Sequence, residues 1–182
     1  MLSFGSVTLT RISAETYAWL LTDNSASGAG SGPRSSHLFE IGKDRKFVGL
    51  LAEDNRADVL LVEEAIDLYN LSVQLHIVDD GEKAISFIEA AENDPEAPCP
   101  EFLLLDLNLP KRSGKEVLQR VRQSAKCKNI PVLIITSSDL QNDREELAQL
   151  GADRYFRKPS DYDQFLKVGE VLKELLERYE IN

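Results

Sequence analysis

An α/β fold built on a doubly wound, five-stranded parallel sheet is predicted from three features of the chain. Five short strand-like segments alternate with five segments of helical period. The strand-like runs are nearly uninterrupted in apolar residues, as in a sheet covered on both faces rather than one wetted on one side. Right-handed crossovers between such strands then place the helices on both faces. With 182 residues, the chain holds one such domain and some additional sequence.

The regular pattern begins near Lys46. "KFVGLLAEDN" (46–55) is an apolar strand ending in acids, and "RADVLLVEEAIDLYN" (56–70) has helical spacing through Val59, Val62, Ala65, Ile66 and Tyr69. "SVQLHIVDD" (72–80) reads as a strand and "GEKAISFIEAAEN" (81–93) as a helix with Ala84, Ile85, Ile88 and Ala91 inward. After the Pro-rich loop "DPEAPCPE" (94–101), "FLLLDL" (102–107) is a fully apolar strand, and "SGKEVLQRVRQSA" (113–125) turns Val117, Leu118 and Val121 to one face. "IPVLIITSS" (130–138) is the next strand; "DLQNDREELAQLG" (139–151) is a polar helix with Asp139 as N-cap and Gly151 at its end. A short strand in "ADRYFRKP" (152–159) and one long amphipathic helix over 161–180 complete the pattern. The stripe of that helix, Phe165, Leu166, Val168, Leu172, Leu175, Leu176 and Tyr179, is slightly wider than sheet cover requires. Core packing accounts for most of it, and a homodimer through the 139–180 face is the sharper alternative.

The first forty or so residues differ. "NSASGAGSGPRSS" (24–36) has linker composition, and "VTLTRISAETYAWLL" (7–21) has too little around it for a core. Residues 1–43 are expected to be an extension that is either flexible or the product of a mis-chosen start. Met1 is the only methionine, so a later start would need a non-standard codon.

A net charge of −10 argues against nucleic-acid binding, which needs a basic surface. No apolar run is long enough for a bilayer and no secretory signal is visible, so a cytoplasmic protein without a membrane partner is expected. Cys99 and Cys127 lack metal spacing and are expected to be reduced thiols. The basic run Lys111, Arg112, Lys115, Arg120, Arg122, Lys126 and Lys128 is expected to be a solvated helix face; a dock for an acidic partner is the weaker reading.

In open α/β sheets the functional crevice lies beyond the carboxyl ends of the strands. There this chain places Glu53 and Asp54, Asp106, Thr136 with Ser137 and Ser138, and Lys158 before Pro159. A carboxylate at the end of an apolar strand must be paired, bind a cation or sit at a cleft mouth. Clustered carboxylates repel, and a hard divalent cation such as Mg²⁺, with oxygen ligands, water and a phosphate, relieves the repulsion. Singly each residue has a bland explanation: the acidic pair as a helix cap, Thr136 as a backbone-bonded hydroxyl, Lys158 as a surface charge. The bland account weakens when all four strand ends agree.

"LLAEDN", "LLLDLNLPKRSG", "VLIITSS" and "GADRYFRKP" together resemble a response-regulator receiver domain of two-component signalling, over residues 46–180. The resemblance implies the flavodoxin-like strand order 2-1-3-4-5 and a receiver domain over 44–182. "DLNLPK", the long loop before the third strand and the absence of an output domain are most similar to stand-alone regulators of hybrid or phytochrome-type histidine kinases. Ala52, Ser113 and Ser160 depart from the residues usual in the family without removing a chemical group.

By that resemblance, Asp106 is the phosphoacceptor, taking a phosphoryl group from a sensor histidine kinase or histidine phosphotransfer protein. Mg²⁺ is held by Asp54, Asp106 and the Asn108 backbone carbonyl, with Glu53 acting through water. Lys158 pairs with a phosphoryl oxygen and Thr136 hydrogen-bonds another; a cis Lys158–Pro159 bond aims the lysine inward. Thr136 and Tyr155 form the switch, Tyr155 rotating into space that Thr136 vacates, and Asn108 and Ser138 tune dephosphorylation. The expected protein is thus not an enzyme beyond its own phosphorylation and dephosphorylation. Two alternatives stand beside it. One is a phosphorylation-independent interaction module, against which the intact Asp106, Asp54, Thr136 and Lys158 argue. The other is a Mg²⁺-dependent phosphohydrolase of haloacid-dehalogenase type, disfavoured because Asn108 stands where a second acid is needed.

Overall fold

Each apolar run becomes a strand whose side chains sort alternately to two faces. Leu50, Ala52, Leu103, Leu105, Val132 and Ile134 enter one core, and Leu51, Phe102, Leu104, Leu133 and Ile135 the other. A run with no polar gap thus serves two layers at once, which explains the lack of alternation in the sequence. The structure, a computed structural model, describes residues 46–94, 97, 99–137 and 144–180.

The elements run β1 (Phe47–Ala52), α1 (Arg56–Leu68), β2 (Val73–Val78), α2 (Gly81–Asn93), β3 (Phe102–Leu105), α3 (Gly114–Gln123), β4 (Val132–Thr136), α4 (Arg144–Gln149), β5 (Arg154–Arg157), α5 (Tyr162–Phe165) and α6 (Val168–Glu180). All sheet pairings are parallel and the order is β2-β1-β3-β4-β5, as expected for the flavodoxin-like arrangement. Ala52 pairs with Val78 on one side and Leu105 on the other, so β1 and β3 end at the same rim. One core lies under α2, α3 and α4, the second under α1, α5 and α6.

Caps set the helix starts. Asn55 Oδ1 accepts from the Ala57 N–H, Asp80 Oδ1 from Lys83 N–H, and Ser113 forms a capping box with Glu116. Gly151, at φ +94°, ends the α4 turn as its position implies. The Asp139 cap, Ser138, residues 1–43 and the boundary at 44 lie outside the described residues.

Three sequence expectations about the fold need correction or refinement. The helix over 161–180 is two pieces: around Leu166–Lys167 the bonds shorten to i+3, with Gly169 N–H on Leu166 C=O at 3.1 Å. Gly169 is also where the helix meets α1, for a Cβ there would lie 2.6 Å from the Ala65 carbonyl oxygen. The apolar stripe is taken up by the sheet: Phe165, Leu166, Val168, Leu172, Leu175 and Leu176 are all buried, and only Tyr179 stays 43% exposed. Cys99 and Cys127 form a disulfide rather than free thiols. Their Cα atoms are 5.5 Å apart because the loop before β3 and the turn after α3 are bound together. Lys126 Nζ donates to the carbonyls of Ala91, Asp94 and Ala97, and the Ala125 N–H to Glu92.

Most of the basic run has partners within the molecule. Lys111 pairs with Asp80, Arg112 with Glu116, Lys115 with Glu146, Arg120 with Glu89 and Glu92, and Arg122 with Asp153. Lys126 adds three carbonyl contacts, and Lys111, Arg112, Lys126 and Lys128 stay exposed, so the run is a largely paired face that still meets solvent. No helix among the described residues is long and apolar enough to cross a membrane.

Candidate functional site

The rim at the ends of β1, β3 and β4 is where the acids converge. Asp106, one residue past β3, is only 5% exposed, and Glu53, one past β1, only 3%. Asp54 beside it is exposed, and ligand oxygens of Glu53, Asp54 and Asp106 lie within 4.8 Å of one another.

Backbone position explains this convergence. The Asp106 N–H donates to Ala52 C=O at 3.0 Å and the Glu53 N–H to Val78 C=O at 2.9 Å, so each acid still belongs to the sheet ladder. Gly114, the first residue of α3, packs directly on the loop carrying the acid, and its N–H donates to Leu107 C=O at 3.0 Å. The Asn108 N–H donates to Asp106 Oδ1 at 3.0 Å, which turns the chain sharply after the acid; the Asn108 residue itself is exposed.

Lys158 closes the cleft. Its Nζ lies 2.6 Å from Glu53 Oε2, 2.6 Å from Asp106 Oδ2 and 2.9 Å from Asp58 Oδ2. The Lys158 N–H donates to Thr136 C=O at 2.9 Å, which fixes where the side chain leaves the backbone. Among the described residues no peptide bond is cis, so Lys158–Pro159 is trans, contrary to the expected cis bond. The backbone bond to Thr136 and three carboxylate partners aim the lysine inward without isomerisation; trans is the lower-energy form for X–Pro as for other bonds.

Burial pushes the Glu53 carboxyl above its ordinary value, and the nearby Asp106 adds to that, against the lowering effect of Lys158. Burial also works against the Lys158 ammonium, but its bonds to Asp106, Glu53 and Asp58 outweigh that and raise it well above an ordinary lysine. The causes differ, burial for Glu53 and carboxylate partners for Lys158, but both groups hold their protons in a cleft where one ammonium faces several carboxylates. The same excess charge, all on oxygen donors, suits a hard divalent cation such as Mg²⁺.

Thr136, fully buried, ends β4 opposite Arg157. Tyr155 pairs with Ile134 on β5 and is half-buried against the α3-side core, two residues back from the rim. Ser138 lies outside the described residues. Sequence reasoning missed Asp58: it stands on the first turn of α1, where an acid reads as an ordinary complement to the helix dipole.

A family model for the response regulator receiver domain matches residues 50–169. The chain belongs to the response-regulator receiver family. It is 34% identical to the response regulator Rcp1 of Synechocystis sp. over 124 residues, covering 68% of this chain and 84% of that protein. Its fold matches the phosphorylated cyanobacterial phytochrome response regulator RcpA with a TM-score of 0.64 at 29% identity, over 71% of this chain and 93% of that one. The Mn²⁺-bound form of Rcp1 matches with a TM-score of 0.63 at 32% identity, over 71% and 93% of the two chains. This receiver is a phosphorylation-based response regulator, and receivers of this family bind a divalent metal and act with a histidine-kinase phosphodonor.

Proposed function

We propose that Asp106 is the phosphoacceptor of this receiver and that its phosphorylation changes the protein's interaction surface. An Asp106 carboxylate oxygen attacks phosphorus, the P–N bond of a partner's phosphohistidine breaks, the imidazole leaves, and an aspartyl phosphate remains. The observation that carries this reading is the buried Lys158 ammonium held on Asp106 and Glu53, in a cleft where three acids present oxygens to one point. Asp54, Asp106 and the Asn108 backbone carbonyl would hold Mg²⁺, with Glu53 acting through water. Bound there, the ion supplies neutralising charge for the phosphoryl oxygens. Lys158 would exchange its contact with Asp106 for a phosphoryl oxygen, and Thr136 would donate to another.

The switch would run from Thr136 to Tyr155, whose half-buried ring stands at the edge of the sheet. Output then falls on the face of α4, β5, α5 and α6. A homodimer on that face would have to use residues other than the α6 stripe, which the sheet already covers. The phosphodonor is a sensor histidine kinase of the phytochrome or hybrid type, or a histidine phosphotransfer protein, in the cytoplasm. Likeness to Rcp1 and RcpA supports that class. Beyond its own phosphoryl transfer and hydrolysis the protein is not an enzyme.

Intact mass after incubation with acetyl phosphate and Mg²⁺ tests the reading, with Asp106→Asn as control. One phosphoryl group on the wild type alone, lost without Mg²⁺, is expected. No addition to a folded wild type would leave a phosphorylation-independent interaction module. Turnover of a generic phosphate ester would point to the hydrolase.

A further inference from the structure

An ammonium has three N–H donors, and Lys158 has three carboxylates on it: Glu53, Asp106 and Asp58. Glu53 and Asp106 belong to the group whose oxygens converge with those of Asp54; Asp58 does not. Its side chain is the most open of the three, 19% exposed against 2% for Glu53 and 6% for Asp106. It is carried by a helix rather than a loop, and the helix start is tied to the cleft. Asn55 caps α1 through Ala57, and its own N–H donates to Glu53 Oε1 at 3.1 Å. A divalent cation and an ammonium compete for the same carboxylate oxygens, since each is attracted to them and repelled by the other. Loading the cluster therefore weakens two of the three contacts of Lys158 and leaves the third.

We propose that Asp58 is a positioning residue that anchors the Lys158 ammonium when a divalent cation occupies the Glu53–Asp54–Asp106 cluster. The inference rests on the proposed function, in taking that cluster as the metal site. Asp58 keeps the lysine at the rim, so the ion displaces it from Glu53 and Asp106 without driving it out of the cleft. Without Asp58, Lys158 has only the ion's own ligands to hold and competes with the ion at full strength.

Isothermal titration with Mg²⁺ alone, on the full chain without a phosphodonor, measures the competition. Asp58→Asn is expected to weaken Mg²⁺ binding about fivefold, and Asp58→Glu to restore most of it. Lys158→Met removes the competitor and should bind Mg²⁺ more tightly than the wild type. In that background Asp58→Asn should change affinity by less than about twofold, because only the distant charge effect remains. An equal loss in both backgrounds, or none in either, overturns the proposal and makes Asp58 an ordinary ion-pair partner. Should Lys158→Met fail to fold, ¹⁵N NMR of the Lys158 ammonium in Mg²⁺-loaded protein decides. Its slow hydrogen exchange should be lost in Asp58→Asn, and unchanged exchange overturns the proposal. Failure of the wild type to bind Mg²⁺ at all is a different result, which would overturn the metal reading itself.

Discussion

Gly114→Ala is a sharp test of how tightly the acid-bearing loop is held. A Cβ on Gly114 would lie 2.2 Å from the Asp106 carbonyl oxygen, 2.7 Å from Leu107 Cα and 3.0 Å from the Asp106 carbonyl carbon. An ordinary carbon–oxygen contact is about 3.3 Å or more, so about 1 Å of movement is required. All three atoms are backbone, so no side chain can swing aside. Two effects oppose. Alanine in a helix is favoured over glycine by about 1 kcal/mol, while overpacking costs about 1–3 kcal/mol. Because α3 is clamped by its capping box and by Val117, Leu118 and Val121 in the core, the overpacking term should win. A net loss of up to about 2 kcal/mol corresponds to a fall of up to roughly 7 °C in melting temperature for a domain of this size. The larger effect falls on chemistry, since a misplacement near 1 Å costs about a hundredfold where reacting groups must be aligned. Phosphorylation by acetyl phosphate, followed by intact mass over time, should slow about tenfold to a hundredfold, with melting followed in parallel. A Gly114→Ala protein that melts and phosphorylates like the wild type would refute the argument that this glycine seats the Asp106 loop.

Two further outcomes follow from the same structure. Burial raises the Glu53 carboxyl, so the folded state binds its proton more tightly than the unfolded state does. Stability from this group is therefore present below the unfolded carboxylate value, about 4.3, and is lost as pH rises toward the raised folded value. In urea unfolding across pH, wild-type stability should fall relative to Glu53→Gln over that window; a difference that does not change with pH would contradict it. Reducing Cys99–Cys127, with a chain separation of 28 residues, should lower stability by about 3.5 kcal/mol on the chain-entropy estimate. The fold should persist, because Lys126 and Glu92 still tie the same segments. Unchanged unfolding of protein whose mass has risen by two hydrogens would show that the bridge adds nothing.

The sheet was legible because burial on both faces writes itself into sequence as unbroken apolar runs, and "FLLL" became β3 with every residue buried. Rim residues were legible for a related reason: a carboxylate or lysine directly after such a run has few places to be. What the chain pattern did not carry were contacts between distant segments. The Cys99–Cys127 pair depends on a loop and a turn meeting across 28 residues, and no spacing rule encodes that meeting. Asp58 looked like any acid in a first helical turn until Lys158 arrived from β5, 100 positions later in the chain. Likewise the basic run read as a surface, and nothing in its spacing told that Glu89, Glu92, Glu146 and Asp153 would pair with it there. The break in the last helix lies just before Gly169, whose close approach to α1 is again a tertiary fact.

The bland account of the rim can now be weighed residue by residue. A capping role for Glu53 or Asp54 fails, because the cap of α1 is Asn55. Surface charge fails for Lys158, whose side chain is only 8% exposed. A buried ammonium does pair with a buried carboxylate for stability alone, but one partner would be enough, and burying more acid than the lysine neutralises costs stability rather than adding it. The excess of carboxylates over cations at one point is therefore not explained by folding. It is explained if the cleft exists to hold a further positive charge, and that requirement, more than any single residue, separates a working receiver from a receiver-shaped scaffold.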